Sequence, residues 1–160
     1  MQKRMSNLKK GFTIIEVLIV LAIAGLILLV VFLAVPALQR TSRNTAIKTD
    51  VQNILGGVNE YRGANNSANP TQISTSATTP GEVKFTGPTG TNQTSIKVQG
   101  STSVSTTTTV PTSLASGSIA VMTGQKCNGD TAVTTNARSV AAFYTLETAS
   151  NPNVLKCVDS

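Results

Sequence analysis

The sequence predicts an α+β fold. A long N-terminal α-helix, membrane-spanning and then amphipathic, packs by its C-terminal half against a small antiparallel β-sheet head. Three observations carry this expectation. The run from Val17 to Val35 is apolar without interruption. Ile47, Val51, Ile54, Leu55, Val58 and Tyr61 then recur at three- and four-residue steps, the spacing of a one-sided helix. Beyond residue 64, short β-type segments alternate with Gly, Pro and Asn clusters. The chain divides accordingly into a basic leader (1–11), a hydrophobic membrane-length helix (12–38), an amphipathic continuation (39–63) and a β-rich head (64–160).

The leader holds Lys3, Arg4, Lys9 and Lys10. The whole chain has 13 basic and 7 acidic residues, so removing those four leaves 9 against 7. The basic character belongs to the leader, which argues against a nucleic-acid-binding face on the folded part. The apolar run, extended by Pro36, Ala37 and Leu38, reaches about 30 Å as a helix, the thickness of a bilayer core. The basic residues ahead of it place the N-terminus in the cytoplasm and the head outside. Pro36 cannot donate to the carbonyl of Phe32 and should kink or loosen the helix, and Gly25 weakens it further. The amphipathic stripe reads as core. Gly56-Gly57 within it costs about 1 kcal/mol per residue against Ala, a cost that a close approach of strands would explain. Gly63 is the expected C-terminal stop.

In the head, residues 64–81 are rich in Asn, Ser, Thr and Pro and read as a surface loop. The expected strands are 82–86, 95–99, 103–110, 118–123, 139–147 and 154–158. About a hundred residues remain after the apolar run, enough for one small core. Cys127 and Cys157 are too far apart for a CxxC redox or metal motif. In a domain held outside the cytoplasm they read as a structural disulfide tying the segment after Met122 to the final strand.

Glu16 stands at the front of the apolar run, where a carboxylate is costly and needs a reason. A cleaved secretory signal, cut before Leu38, fits the basic leader but not the length of the run or the acid. A plain single-pass anchor explains the length and leaves Glu16 without a role. The residues Gly11-Phe12-Thr13-Ile14-Ile15-Glu16-Val17-Leu18 resemble the prepilin-peptidase recognition sequence of type IV pilins and related pseudopilins. The resemblance covers about the first sixty residues. It implies cleavage between Gly11 and Phe12, N-methylation of Phe12, and a role for Glu16 in filament assembly and register by pairing with the processed amine of its own or a neighbouring subunit. It also implies a prepilin peptidase/methyltransferase, an assembly platform and an ATPase as partners, beside the chain itself as a helical homopolymer. In the family the helix often melts between a Gly and a Pro. Here Pro36 stands a few residues later than the usual pattern. A C-terminal disulfide-bounded loop, which the family has, would fall at Cys127–Cys157.

No catalytic constellation is expected. The chain has no His, its acids are scattered, and no phosphate-binding loop is present. No cofactor or metal is expected, since Asp130 and Asp159 alone are too few for a calcium site. Lys84, Lys97, Lys126, Arg138 and Lys156 are dispersed, which leaves DNA binding weakly supported. Thr and Ser dominate from 71 to 118. They read as a solvated β-edge first and as an O-glycosylated or adhesive surface second. Asn65-Asn66-Ser67 and Asn92-Gln93-Thr94 match the N-glycosylation pattern. The leading expectation is a type IV pilus subunit, held in the inner membrane and then displayed on the cell surface, serving adhesion, twitching motility or DNA uptake. A type II secretion pseudopilin or minor pilin is the alternative, and a membrane-anchored or secreted binding module the alternative from another class.

Overall fold

The computed structural model describes residues 11–88, 94–99, 102–135, 138–151 and 153–160. Residues 1–10 of the basic leader and Asn92-Gln93 therefore lie outside the described residues. One helix, α1 (Ile14–Ala64), is followed by nine strands: β1 (Gln72–Thr75), β2 (Glu82–Thr86), β3 (Thr94–Lys97), β4 (Ser103–Thr106), β5 (Ser118–Thr123), β6 (Gln125–Asn128), β7 (Thr131–Thr134), β8 (Val140–Leu146) and β9 (Val154–Asp159). By contacts the chain separates into two units, one ending at Leu38 and the other spanning Gln39–Ser160. In the first, every residue from Ile14 to Leu38 is exposed, and the helix is continuous through Gly25 and Pro36.

In the second unit, Ile47, Val51, Ile54, Leu55, Val58 and Tyr61 are all buried, as their helical spacing requires. The two glycines of that stretch differ. A Cβ on Gly57 would lie 2.7 Å from Cζ of Phe85 and 3.0 Å from Cγ2 of Ile96, whereas one on Gly56 would meet nothing within 4 Å. Strands thus approach closely at Gly57 and not at Gly56. The helix stops one residue after the expected Gly63. Asn66 and Ser67 take the left-handed conformation (φ 52° and 64°), and the N–H of Ser67 donates to the carbonyl of Arg62 at 2.9 Å. Asn tolerates that conformation because its short polar side chain bonds locally.

Three sheets form where one was expected: β1-β2-β3, β4-β5-β8-β9 and the pair β6-β7. β1 corrects the reading of 64–81 as loop. Its single apolar side chain, Ile73, is fully buried, but one such residue gives no alternation to detect. The antiparallel expectation holds except at β4, which pairs parallel to β5 with Ser103 opposite Ser118 and Thr106 opposite Val121. A parallel pair needs a return crossover, so the expected strand 103–110 ends at Thr106 and residues 107–117 carry the chain back. Among the described residues β1 is hydrogen-bonded to β4 through one side chain: the N–H of Ile73 donates to Oγ1 of Thr106 at 2.6 Å, and that hydroxyl donates to the carbonyl of Ile73 at 3.1 Å.

The four-stranded sheet is covered on both faces. Ile119, Val121, Val140 and Ala142 join the helix stripe in the main core. Ala120, Met122, Ala141 and Phe143 form a second buried cluster with Leu114, Leu155, Ala132 and the two cysteines. The sequence reading allowed for one core. The second exists because β6-β7 folds over the far face. That hairpin turns at Gly129 (φ 63°), where a side chain would be strained.

Candidate functional site

The N-terminal segment brings the expected processing and assembly residues together by chain continuity. Gly11, Phe12 and Thr13 precede the helix, and Phe12 is 89% exposed, so the bond between Gly11 and Phe12 is sterically open. Thr13 is the N-cap. Its N–H and its hydroxyl both donate to Oε2 of Glu16, at 2.9 and 2.8 Å, while the N–H of Glu16 reaches back to the Thr13 hydroxyl at 3.4 Å. This is a capping box, in which residue and backbone satisfy each other's orphan donors at a helix start. The Thr13-Ile14-Ile15-Glu16 spacing signals it, and a reading centred on the acid alone passes over it. Glu16 therefore has a local partner within its own chain. Both bonds fall on Oε2, and among the described residues Oε1 accepts none. One carboxylate oxygen fixes the helix start and the other is open.

Behind Glu16 the exposed side chains of Ile14–Leu38 form a helix long and apolar enough to cross a membrane. A Cβ on Gly25 would meet nothing within 4 Å, so packing among the described residues does not demand the glycine. Pro36 lies inside α1.

In the second unit, Cys127 and Cys157 are bonded, with Cα atoms 5.8 Å apart. The bridge fastens β6 to β9. The N–H of Cys127 also donates to Oδ2 of Asp159 at 3.0 Å. Asp130 is ion-paired with Lys156 at 2.9 Å, so each of these two acids has a partner within the chain. Among the described residues no group of three His, Cys, Asp or Glu side chains comes together. Of the dispersed cations, Lys156 is thus paired and Lys97 stands opposite Glu82 across β2-β3.

Two polar nodes escape sequence reasoning. Asp50, 3% exposed, accepts from the N–H of Gln99 at 3.1 Å and from the hydroxyl of Thr102. A lone Asp on an amphipathic helix gives no sign that it faces inward. The second node is Glu147. Arg43 grips its carboxylate through Nε (3.0 Å) and Nη2 (2.6 Å), Ser116 donates to Oε1 at 3.0 Å, and the Asn44 amide pairs with the Glu147 backbone through two 2.8 Å bonds. Hydrogen bonding from Arg43 holds the Glu147 carboxyl below its ordinary range. The node rims a cavity of about 350 Å³ that Ile47, Gln99 and Thr102 also line. Its charged groups already satisfy each other.

The family model for the prokaryotic N-terminal methylation motif matches residues 6–32. No curated protein and no solved structure matches the chain. The matched stretch contains the capped helix start and most of the exposed apolar helix. The chain therefore carries, at its N-terminus, the prepilin signal of type IV pilin-like proteins.

Proposed function

We propose that the chain is a structural, non-enzymatic subunit of a type IV pilus. It waits in the membrane with its N-terminus in the cytoplasm, and it polymerises through its N-terminal helix into a filament on the cell surface. The observation that carries the reading is the prepilin signal at 6–32 continuing into a helix whose apolar side chains are exposed among the described residues. Cleavage after Gly11 removes four positive charges that resist entry into an apolar environment, and methylation of the Phe12 amine keeps its charge. Glu16 is then the carboxylate for that amine. Its Thr13-bonded oxygen keeps the helix start ordered, and its open oxygen accepts the amine of a neighbouring copy. An unpaired charge in a bilayer costs roughly 2.5–3.5 kcal/mol on insertion scales, so a subunit out of register is penalised. Lipid tails are as apolar as the helix, so burial alone gives little drive for extraction. The reading accordingly includes an assembly platform and ATPase beside the prepilin peptidase/methyltransferase.

The deciding experiment is the mass of the mature N-terminus together with filament yield from Glu16→Ala. A methylated Phe12 and a processed but poorly assembling variant support the proposal. Normal filament yield from Glu16→Ala removes the register role, and a mature chain starting at Leu38 makes the segment a signal peptide. A type II secretion pseudopilin or minor pilin shares every N-terminal feature. Long surface filaments built mainly of this chain separate the pilus subunit from both.

A further inference from the structure

The helix of the second unit is gripped in two different ways. Along 47–61 its inward side chains are buried in the main core. Along 39–46 none is buried, and only Arg40, Asn44 and Ala46 are half-buried. Beside this stretch lies the cavity of about 350 Å³, bounded by Ser42, Ala46 and Ile47 of the helix and by Gln99, Thr102 and Thr145 from the rest of the head. Two turns of helix thus run next to unfilled space rather than on packed side chains.

Polar side chains span that space and converge on one residue. Arg43 holds the Glu147 carboxylate through Nε and Nη2, and the Asn44 amide holds the N–H and the carbonyl of the same residue. Ser116, in the chain leading to β5, donates to that carboxylate at 3.0 Å. Two adjacent helical residues therefore seize the residue just past β8 by its side chain and its backbone at once. The hydroxyl of Thr45, the next residue, bonds back to the carbonyl of Thr41 in its own helix.

We propose that Arg43 and Asn44 form a releasable clasp on Glu147, which sets how far toward the N-terminus the head grips its helix. The grip begins at residue 43 when the clasp is closed and at Ile47 when it is open, about 6 Å apart along the axis. Opening breaks polar bonds and exposes little apolar surface, because the cavity already separates the helix from the strands there. A helical stretch without tertiary contacts is marginal in water, so 39–46 frays while 47–61 stays in the core. The two halves of the clasp differ in kind. The Arg43 bonds are charge-assisted and weakened by salt, whereas the Asn44 bonds are neutral and keep their strength. Salt loosens the clasp without releasing it.

Hydrogen exchange of the full chain in non-ionic detergent, with and without low urea, tests the clasp. In the wild type, amides 43–47 should exchange faster than amides 54–61 and independently of urea, since little surface is exposed on opening. Arg43→Ala/Asn44→Ala should speed exchange at 43–47 about tenfold, the scale of one or two lost hydrogen bonds, again without urea dependence. Ala is a better helix former than Asn, so local propensity alone would slow it. Glu147→Gln keeps the Asn44 bonds and leaves the fold least disturbed. It should give a smaller rise and abolish the acceleration that salt produces in the wild type. Equal protection and equal urea dependence at 43–47 and 54–61 would mean that the stretch opens only with the whole head. Unchanged exchange at 43–47 in both variants would mean that the clasp holds nothing. Either result overturns the proposal, and neither depends on filament assembly.

Discussion

Gly57→Ala and Gly56→Ala are adjacent, chemically identical substitutions that should change stability in opposite directions. In an exposed helix interior, Ala is favoured over Gly by about 1 kcal/mol. At Gly56 that gain is unopposed, since a Cβ there meets nothing within 4 Å. At Gly57 the new Cβ would stand 2.7 and 2.8 Å from Cζ and Cε2 of Phe85 and 3.0 Å from Ile96. Phe85 is fully buried in β2, the middle strand of its sheet, so it cannot swing aside into solvent. Overpacking of this kind costs about 1–3 kcal/mol. With the helix gain at the small end of that conflict, Gly57→Ala should destabilise by about 1 kcal/mol and Gly56→Ala stabilise by a similar amount. The two variants should then differ by about 2 kcal/mol, or roughly 8 °C in Tm for a head of this size. Chemical and thermal denaturation of the full chain in non-ionic detergent would measure it. The chain lacks Trp, so the fluorescence of Tyr61, which packs in the main core, provides the signal. Equal stabilisation by both substitutions would refute the reasoning, because it would mean that the sheet does not press on the helix at Gly57.

Three further outcomes follow from the polar nodes and the bridge. Cys127→Ser/Cys157→Ser should lose about 3.5 kcal/mol by the chain-entropy relation for the 30-residue separation, and hydrogen exchange should rise first in β6-β7. Arg43→Ala should lower stability near neutral pH, with the deficit shrinking in acid. Glu147 has a depressed folded pKa, so its contribution is present above the ordinary carboxylate range and is lost as pH falls through the folded value. Denaturation of both proteins between pH 7 and pH 3 tests the sign, and a deficit that grows in acid would contradict it. Asp50→Ala should cost about 1–3 kcal/mol by stranding the N–H of Gln99 and the hydroxyl of Thr102; an unchanged midpoint of denaturation would show that water replaces the carboxylate.

What the sequence discloses here follows from how local each cause is. The helix stripe is periodic, so all six of its residues are found and all are buried. Glu82–Thr86 alternates and is bounded by Gly on each side, so its limits are readable, and Ser118–Thr123 is equally compact. Gln72–Thr75 has one apolar residue, and its strand exists only because β2 is there to pair with it. The parallel register of β4 is a choice among neighbours that no local pattern encodes. At the candidate site, the Gly11–Phe12 bond and Glu16 are carried by a contiguous motif. The Thr13 cap is equally local and was open to the same reading. Asp50 and Glu147 take their meaning from partners about 50 and 100 positions away, beyond the reach of any window.

The hydroxyl of Thr106 has a consequence for cooperativity. Among the described residues it does by two side-chain bonds what a ladder does between true neighbours, joining β1 to β4. Each such bond contributes about 1 kcal/mol, against five register pairs between β5 and β8. Of the head's three sheets, β1-β2-β3 and β4-β5-β8-β9 therefore share the helix-centred core and, among the described residues, this side-chain link between strands. Opening of the β1-β2-β3 panel should cost less than global unfolding, so native-state exchange there should report a sub-global event while β5 and β8 stay protected to the limit of the whole domain.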